Sequence, residues 1–224
     1  MQTPPDFEPP IWLRLLRKHI WLIGGLFGAI TITAIRPLLR HVPDPPPVLF
    51  ELPDFALVDD HEQPFTDDTL RGKVWVAGFV FTSCPSTCPA VTRAMQDLHA
   101  RFARNDIDVE MVSFTVDPRR DTPQVLRAYA EQAGADEHWR FVTGDPAAIH
   151  AVVRNGFKLG IGDPAPVADD AALYDIARST QLALVDPEGN VRGFYGIEPD
   201  QGLDEIFHRA QHVMAEARKR QRNQ

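Results

Sequence analysis

Only two cysteines occur in the 224 residues, Cys84 and Cys88. That scarcity excludes a disulfide-rich secreted scaffold and a four-cysteine zinc or iron–sulfur site. A surplus of positive charge is also missing: 23 Lys+Arg stand against 31 Asp+Glu, a formal net charge of −8. Polyanion-binding surfaces need a basic excess, so this balance argues against general affinity for nucleic acid. No Gly-rich phosphate loop, Ser-x-x-Lys or Gly-x-Ser-x-Gly element occurs, and no internal repeat. The usual signatures of phosphate cradling and serine nucleophiles are therefore absent. What remains is ordinary globular composition, 44% hydrophobic and 24% charged, in a chain long enough to build a core without staples.

Charge is absent from Ile20 to Ile35. A helix of that length spans about 24 Å, short of the roughly 30 Å hydrocarbon core. Its flanks make up the difference, with Arg14, Arg17 and Lys18 before it, Arg36 and Arg40 after it, and Trp12 and Trp21 at interface depth. A buried core helix would not be boxed by five cations, and no small-x-small cleavage site follows Ile35. The expected organisation is a cytoplasmic N-terminus (1–19), an uncleaved transmembrane anchor (20–36) and a Pro-rich spacer (37–50). A removed signal peptide is the alternative. The run His41-Val-Pro-Asp-Pro-Pro-Pro47 suits a stiff polyproline segment. Residues 1–40 hold five Lys/Arg and two Asp/Glu, so the rest of the chain carries −11.

Residues 51–224 alternate between strand and helix patterns. Asp54–Leu70 suits a short hairpin turning at Asp59-Asp60, and Lys73–Phe81 a strand covered on both faces. The pattern predicts a helix over about 85–104 and a strand over 109–116. Asp121-Thr-Pro123, with N-cap and N1 chemistry, opens a helix to about Ala133. A short strand at 141–143 and a helix capped by Asp145-Pro146 follow, then an exposed loop over 160–172. Leu182–Val185 and Val191–Tyr195 flank the turn Asp186-Pro-Glu-Gly189, and Pro199 begins a last helix with a basic end. The acidic pairs Asp59-Asp60, Asp67-Asp68 and Asp169-Asp170 read as solvated loops. The whole implies a three-layer α/β domain.

The cysteines lie in Phe81-Thr-Ser-Cys84-Pro-Ser-Thr-Cys88-Pro89, where a buried strand hands over to a helix. With Pro85 at N1, Cys84 would be the N-cap, where free N–H groups and the helix dipole favour a thiolate. Cys88 would follow one turn later on the same face, with Cα atoms roughly 6 Å apart. That spacing allows a disulfide and equally allows two thiolates to grip a soft ion such as Cu(I). Two buried structural cysteines are the plainer alternative.

These motifs resemble the Sco/SenC family of membrane-tethered thioredoxin-fold proteins. Thr82-Ser-Cys-Pro-x-x-Cys-Pro89 is similar to its dithiol signature, and Thr115-Val-Asp-Pro-Arg-Arg-Asp-Thr-Pro123 to its Asp-Pro…Asp-Thr loop. Trp139…Thr143-Gly144 and Leu182-Ala-Leu-Val-Asp-Pro-Glu-Gly189 match later strand ends and turns. The resemblance implies a thioredoxin-like three-layer domain behind an N-terminal transmembrane helix. It implies copper held by Cys84, Cys88 and a distant histidine, for assembly of the copper site of cytochrome c oxidase. The oxidase subunit carrying that site, or another copper or thiol protein, would be the partner. A single-pass protein of a bacterial inner membrane is expected, its domain facing the periplasm. The acidic Asp6 and Glu8 argue against a mitochondrial transit peptide.

The family histidine is missing. The chain reads Ile176-Ala-Arg178-Ser179-Thr180 there, and a guanidinium has no lone pair to offer a metal. His41, His61, His99, His138, His150, His208 and His212 remain after the anchor, and His61 and His138, in loops, are the least excluded as substitutes. Met95, on the cysteine helix, is explained by an apolar helix position. Arg178 could stabilise a thiolate, as an arginine does in peroxiredoxins, or pair with Asp175 or Asp169 at the surface. Ala77 and Phe81 stand where the peroxiredoxin motif wants Pro and Thr, which argues against full peroxidase identity. Asp117 and Asp121 could hold a hard metal, but a turn and a helix cap explain them better. Three readings follow: a copper-handling assembly factor with an unnamed third ligand, a copper-independent thiol–disulfide oxidoreductase in which Arg178 tunes Cys84, and a binding module with a structural disulfide.

Overall fold

The computed structural model describes residues 45–83, 88–159 and 180–223. The uncharged run at 20–35, the loop at 160–172, Cys84 and Arg178 lie outside these residues, as does the Cys88 side chain. The strands are β1 (Phe50–Glu51), β2 (Ala56–Asp59), β3 (Pro64–Thr66), β4 (Trp75–Val80), β5 (Glu110–Thr115), β6 (Trp139–Thr143), β7 (Gln181–Val185) and β8 (Asn190–Gly196). The helices are α1 (Cys88–Arg104), α2 (Pro123–Ala133), α3 (Pro146–Ala151) and α4 (Asp204–Arg222). All eight strands form one sheet in the order β1-β8-β7-β4-β5-β6-β2-β3. The β4–β5 and β5–β6 pairs are parallel, and the remaining neighbours run antiparallel.

β4 is central because every one of its side chains is apolar or absent, and all six residues are buried. On one face Gly78 leaves room for Met95 of α1, whose sulfur would stand 3.2 Å from any Cβ added there. Met95 is thus a core residue, as its helix position predicted. On the other face Trp75, Phe79 and Phe114 surround Phe157, with ring centroids 5.0–6.1 Å from it. α1 packs against β4 and also touches α2 and α4, so these three helices share a layer. The segment through α3, a π turn at Val152–Gly156 and Phe157 covers the opposite face.

Local signals place most helix ends. Asp145 accepts hydrogen bonds from the N–H groups of Ala147 and Ala148, with Pro146 behind it. α2 ends at Gly134, whose φ of 69° is the left-handed conformation a C-cap needs. The cap at the start of α2 differs from the expectation: Thr122 is the N-cap, accepting from the Val125 N–H, and Asp121 points into the interior. Asp59 and Asp60 are not solvated either. Both are buried, Asp59 closing the hairpin by accepting from the N–H groups of His61 and Gln63, Asp60 pinning it to β6 through Phe141 N–H.

The body also begins earlier than residue 51. Pro46 is buried, and its carbonyl accepts two hydrogen bonds from the Arg192 guanidinium at 2.8 and 2.5 Å. Arg192 is itself buried and pairs with Asp186 at 3.1 Å and Glu216 at 2.7 Å. One cation therefore ties the incoming chain, the β7–β8 turn and α4 together. Arg192→Ala should cost roughly 3–5 kcal/mol, because it removes the cation that compensates the buried Asp186 carboxylate and leaves only neutral donors on it. A drop in the urea midpoint would register this loss. An unchanged midpoint would show that water replaces the guanidinium without cost.

Candidate dithiol site

The cysteines fall in the handover from β4 to α1. Thr82 and Ser83 leave the sheet after Phe81, and Cys88 is the first residue of α1. β7 runs antiparallel beside β4 in the register Trp75↔Val185, Val76↔Leu184 and Ala77↔Ala183. The end of β4 and the start of β7 consequently share one rim of the sheet. Arg178 precedes the described Thr180 by two residues, as Cys84 follows Thr82 by two. The ends of β5 and β6 reach the same rim, since both run parallel to β4.

At this rim stands Asp121, with no exposed surface. Its carboxylate accepts from the Thr82 hydroxyl at 2.5 Å, the Thr82 N–H at 3.2 Å and the Thr115 hydroxyl at 2.5 Å. Burial pushes its carboxyl above the usual range, against these hydrogen bonds, which favour the anion; the nearby Asp117 adds to the rise. The Thr115 oxygen also accepts the Asp117 N–H at 3.0 Å. Asp117 forms a turn and pairs with Arg120 at 3.3 Å. Of the two aspartates, the turn assigned to Asp117 holds and the cap assigned to Asp121 does not. The partners of Asp121 had no sequence signal beyond threonines at both strand ends, because Thr82 lies 39 positions away.

The two loop histidines are not at this rim. His138 precedes β6, and its carbonyl accepts the Met111 N–H at the opposite end of β5. The length of β5 between that end and Thr115 is about 16 Å. His61 rests against Asp60 at 3.2 Å and Arg140 at 3.3 Å. It follows β2, separated from β4 by β6 and β5, a lateral offset of about 14 Å. Neither can complete a copper site at residues two positions from Thr82. His99 lies three turns along α1, bonded to Asp136 at 3.0 Å and packed on Trp139.

Among the described residues, one group could gather metal-ligating atoms: Asp108, Glu110 and His138, within 4.8 Å of one another. Lys73 already meets Glu110 at 2.8 Å, and the group sits at the far end from the dithiol loop. It belongs to an ion-pair network.

Residues 48–215 match the SCO1/SenC family model. The chain belongs to the SCO1/SenC family. A SCO1 protein homolog of Bacillus subtilis (strain 168) is 30% identical over 155 residues, covering 68% of this chain and 77% of that protein. A protein of Stutzerimonas stutzeri named for copper binding is 33% identical over 144 residues, 63% of this chain and 67% of its own length. One solved structure, described as identifying a disulfide switch in BsSco, a member of the Sco family of cytochrome c oxidase assembly proteins, aligns with a TM-score of 0.63. It is 27% identical and covers 76% of this chain and 96% of that one. The SCO1/SenC body is accordingly a mixed α/β, thioredoxin-like fold. Among the described residues no helix is long and apolar enough to cross a membrane.

Proposed function

We propose that this SCO1/SenC protein handles copper, thiol redox state, or both, for the copper site of cytochrome c oxidase, using Cys84 and Cys88. The observation that carries the reading is the placement of both cysteines in the β4-to-α1 handover of a matched family domain. The names of its relatives, one for copper binding and one for a disulfide switch, support the same two chemistries. Two thiolates suffice for Cu(I), which accepts low coordination and soft ligands. The anchor at 20–36 would hold the domain on the periplasmic side of a bacterial inner membrane, where its partner's copper site would be loaded.

A second reading gives the dithiol a redox task alone, independent of any metal: a thiol–disulfide oxidoreductase that keeps the partner's copper-binding cysteines reduced. The shared rim of β4 and β7 supports it, because Thr180, two residues after Arg178, and Thr82, two residues before Cys84, stand at one edge. A guanidinium there lowers a thiol's pKa and cannot ligate a metal. Copper stoichiometry of the reduced, metal-free chain separates the two readings, with one Cu(I) per chain expected. No bound copper together with a reversible disulfide in glutathione buffer would leave only the redox reading. A disulfide resistant to that buffer would point to a structural cross-link.

A further inference from the structure

The family match gives the Thr115–Pro123 segment no task in this chain, and its buried acid is not needed to cap the helix that follows it. α2 is already capped by Thr122, with Pro123 behind it. A carboxylate is costly to bury unless donors surround it. Here the donors come from two strand ends: the N–H and hydroxyl of Thr82 from the β4 side, and the hydroxyl of Thr115 from β5. The far side of the cysteine loop is secured separately. Thr92, one turn into α1, meets the Tyr129 hydroxyl of α2 at 2.8 Å. Val91, Met95 and Leu98 bury the helix beneath it. The loop is thus tied at both ends to the same stretch, Asp121 through α2.

We infer that Asp121 is a positioning residue: by accepting from Thr82 and Thr115 it fixes the root of the dithiol loop, and so sets how readily Cys84 and Cys88 close on each other or on one copper ion. The inference rests on the reading of that pair as a working dithiol. Ends held in place lower the entropy cost of bringing two sulfurs together, whether the closing link is an S–S bond or a metal. Freeing Thr82 lets the loop sample wider geometries. The closed states lose, and the open dithiol gains.

The test uses the full-length chain in detergent, as wild type, Asp121→Ala, Asp121→Asn and Thr82→Val. Each is equilibrated with glutathione and its disulfide, and free thiols are counted by alkylation mass shift. In this exchange the protein S–S bond takes two electrons and two protons to become two thiols. Two glutathione thiols supply them and join as the glutathione disulfide. Asp121→Ala should shift the equilibrium about tenfold toward the dithiol, which is about 30 mV for a two-electron couple. Cu(I) affinity, read by competition with a chromogenic chelator, should fall by a similar factor. Asp121→Asn should recover most of both, because its amide oxygen still accepts from Thr82 while the Thr115 hydroxyl can turn. If Asp121→Ala does not fold, Thr82→Val decides; losing one hydroxyl should give about a fivefold shift, the scale of one net hydrogen bond. Wild-type equilibrium and Cu(I) affinity in every folded variant, with only the melting temperature lowered, would overturn the inference and leave Asp121 a stability residue. A wild-type chain with neither a reversible disulfide nor Cu(I) binding would instead overturn the dithiol reading, and this inference with it.

Discussion

Serine in place of either Cys84 or Cys88 should abolish stoichiometric Cu(I) binding. A Cu(I) ion held by two thiolates has no reserve: one sulfur alone leaves a single soft ligand, and a serine hydroxyl is hard and protonated at neutral pH. Three of the described histidines offer no rescue, since His61 and His138 sit away from the rim and His99 is engaged with Asp136. The measurement is a competition titration of the reduced chain against a chromogenic Cu(I) chelator. Wild type should retain one equivalent where each single variant retains none. A variant that keeps one equivalent would place the copper on other ligands and remove the cysteine pair from the site.

Replacing Arg178 by His should create a coloured Cu(II) complex that the wild-type chain lacks. Cu(II) prefers a mixed set containing imidazole nitrogen, and an arginine in that place adds only positive charge. The backbone supports the experiment, because β7 lies beside β4 and its start is at the rim where β4 ends. Thr180, two residues after the substituted position, and Thr82, two residues before Cys84, therefore stand at one rim. Visible absorption during a Cu(II) titration should show a thiolate-to-copper band in Arg178→His and little or none in wild type. Equal, tight Cu(II) binding by both would mean that another side chain already completes the site, and the redox-only reading would fall.

Much of the frame is legible without coordinates because its signals are short-range. The unbroken apolar run at Lys73–Phe81 became the central strand, buried throughout. Asp145-Pro146 capped a helix, and Asp186-Pro-Glu-Gly189 turned a hairpin, the Asp186 side chain accepting from Glu188 and Asn190. These depend on atoms a few residues apart. The errors share the opposite property. Asp59 and Asp60 read as solvated because acids usually are, yet Asp60 is paid back by Phe141, eighty-one positions away. Pro46 read as spacer because its neighbours are prolines, yet Arg192 meets its carbonyl from 146 positions away.

The sequence by itself determined the order and type of most of the elements and the single cysteine pair at a strand-to-helix handover. Those follow from periodicity, cap chemistry and the identity of residues, all of which are local. Only the tertiary structure decided which of these features meet. Laying β7 against β4 brought Thr180, which follows Arg178, and Thr82, which precedes Cys84, to one rim, and the parallel β4–β5 pair delivered Thr82 and Thr115 to the same carboxylate. It also sent His138 to the far end of the sheet. The reason is that strand order is chosen by burial of whole faces, summed over the entire core, and no window of sequence carries that sum.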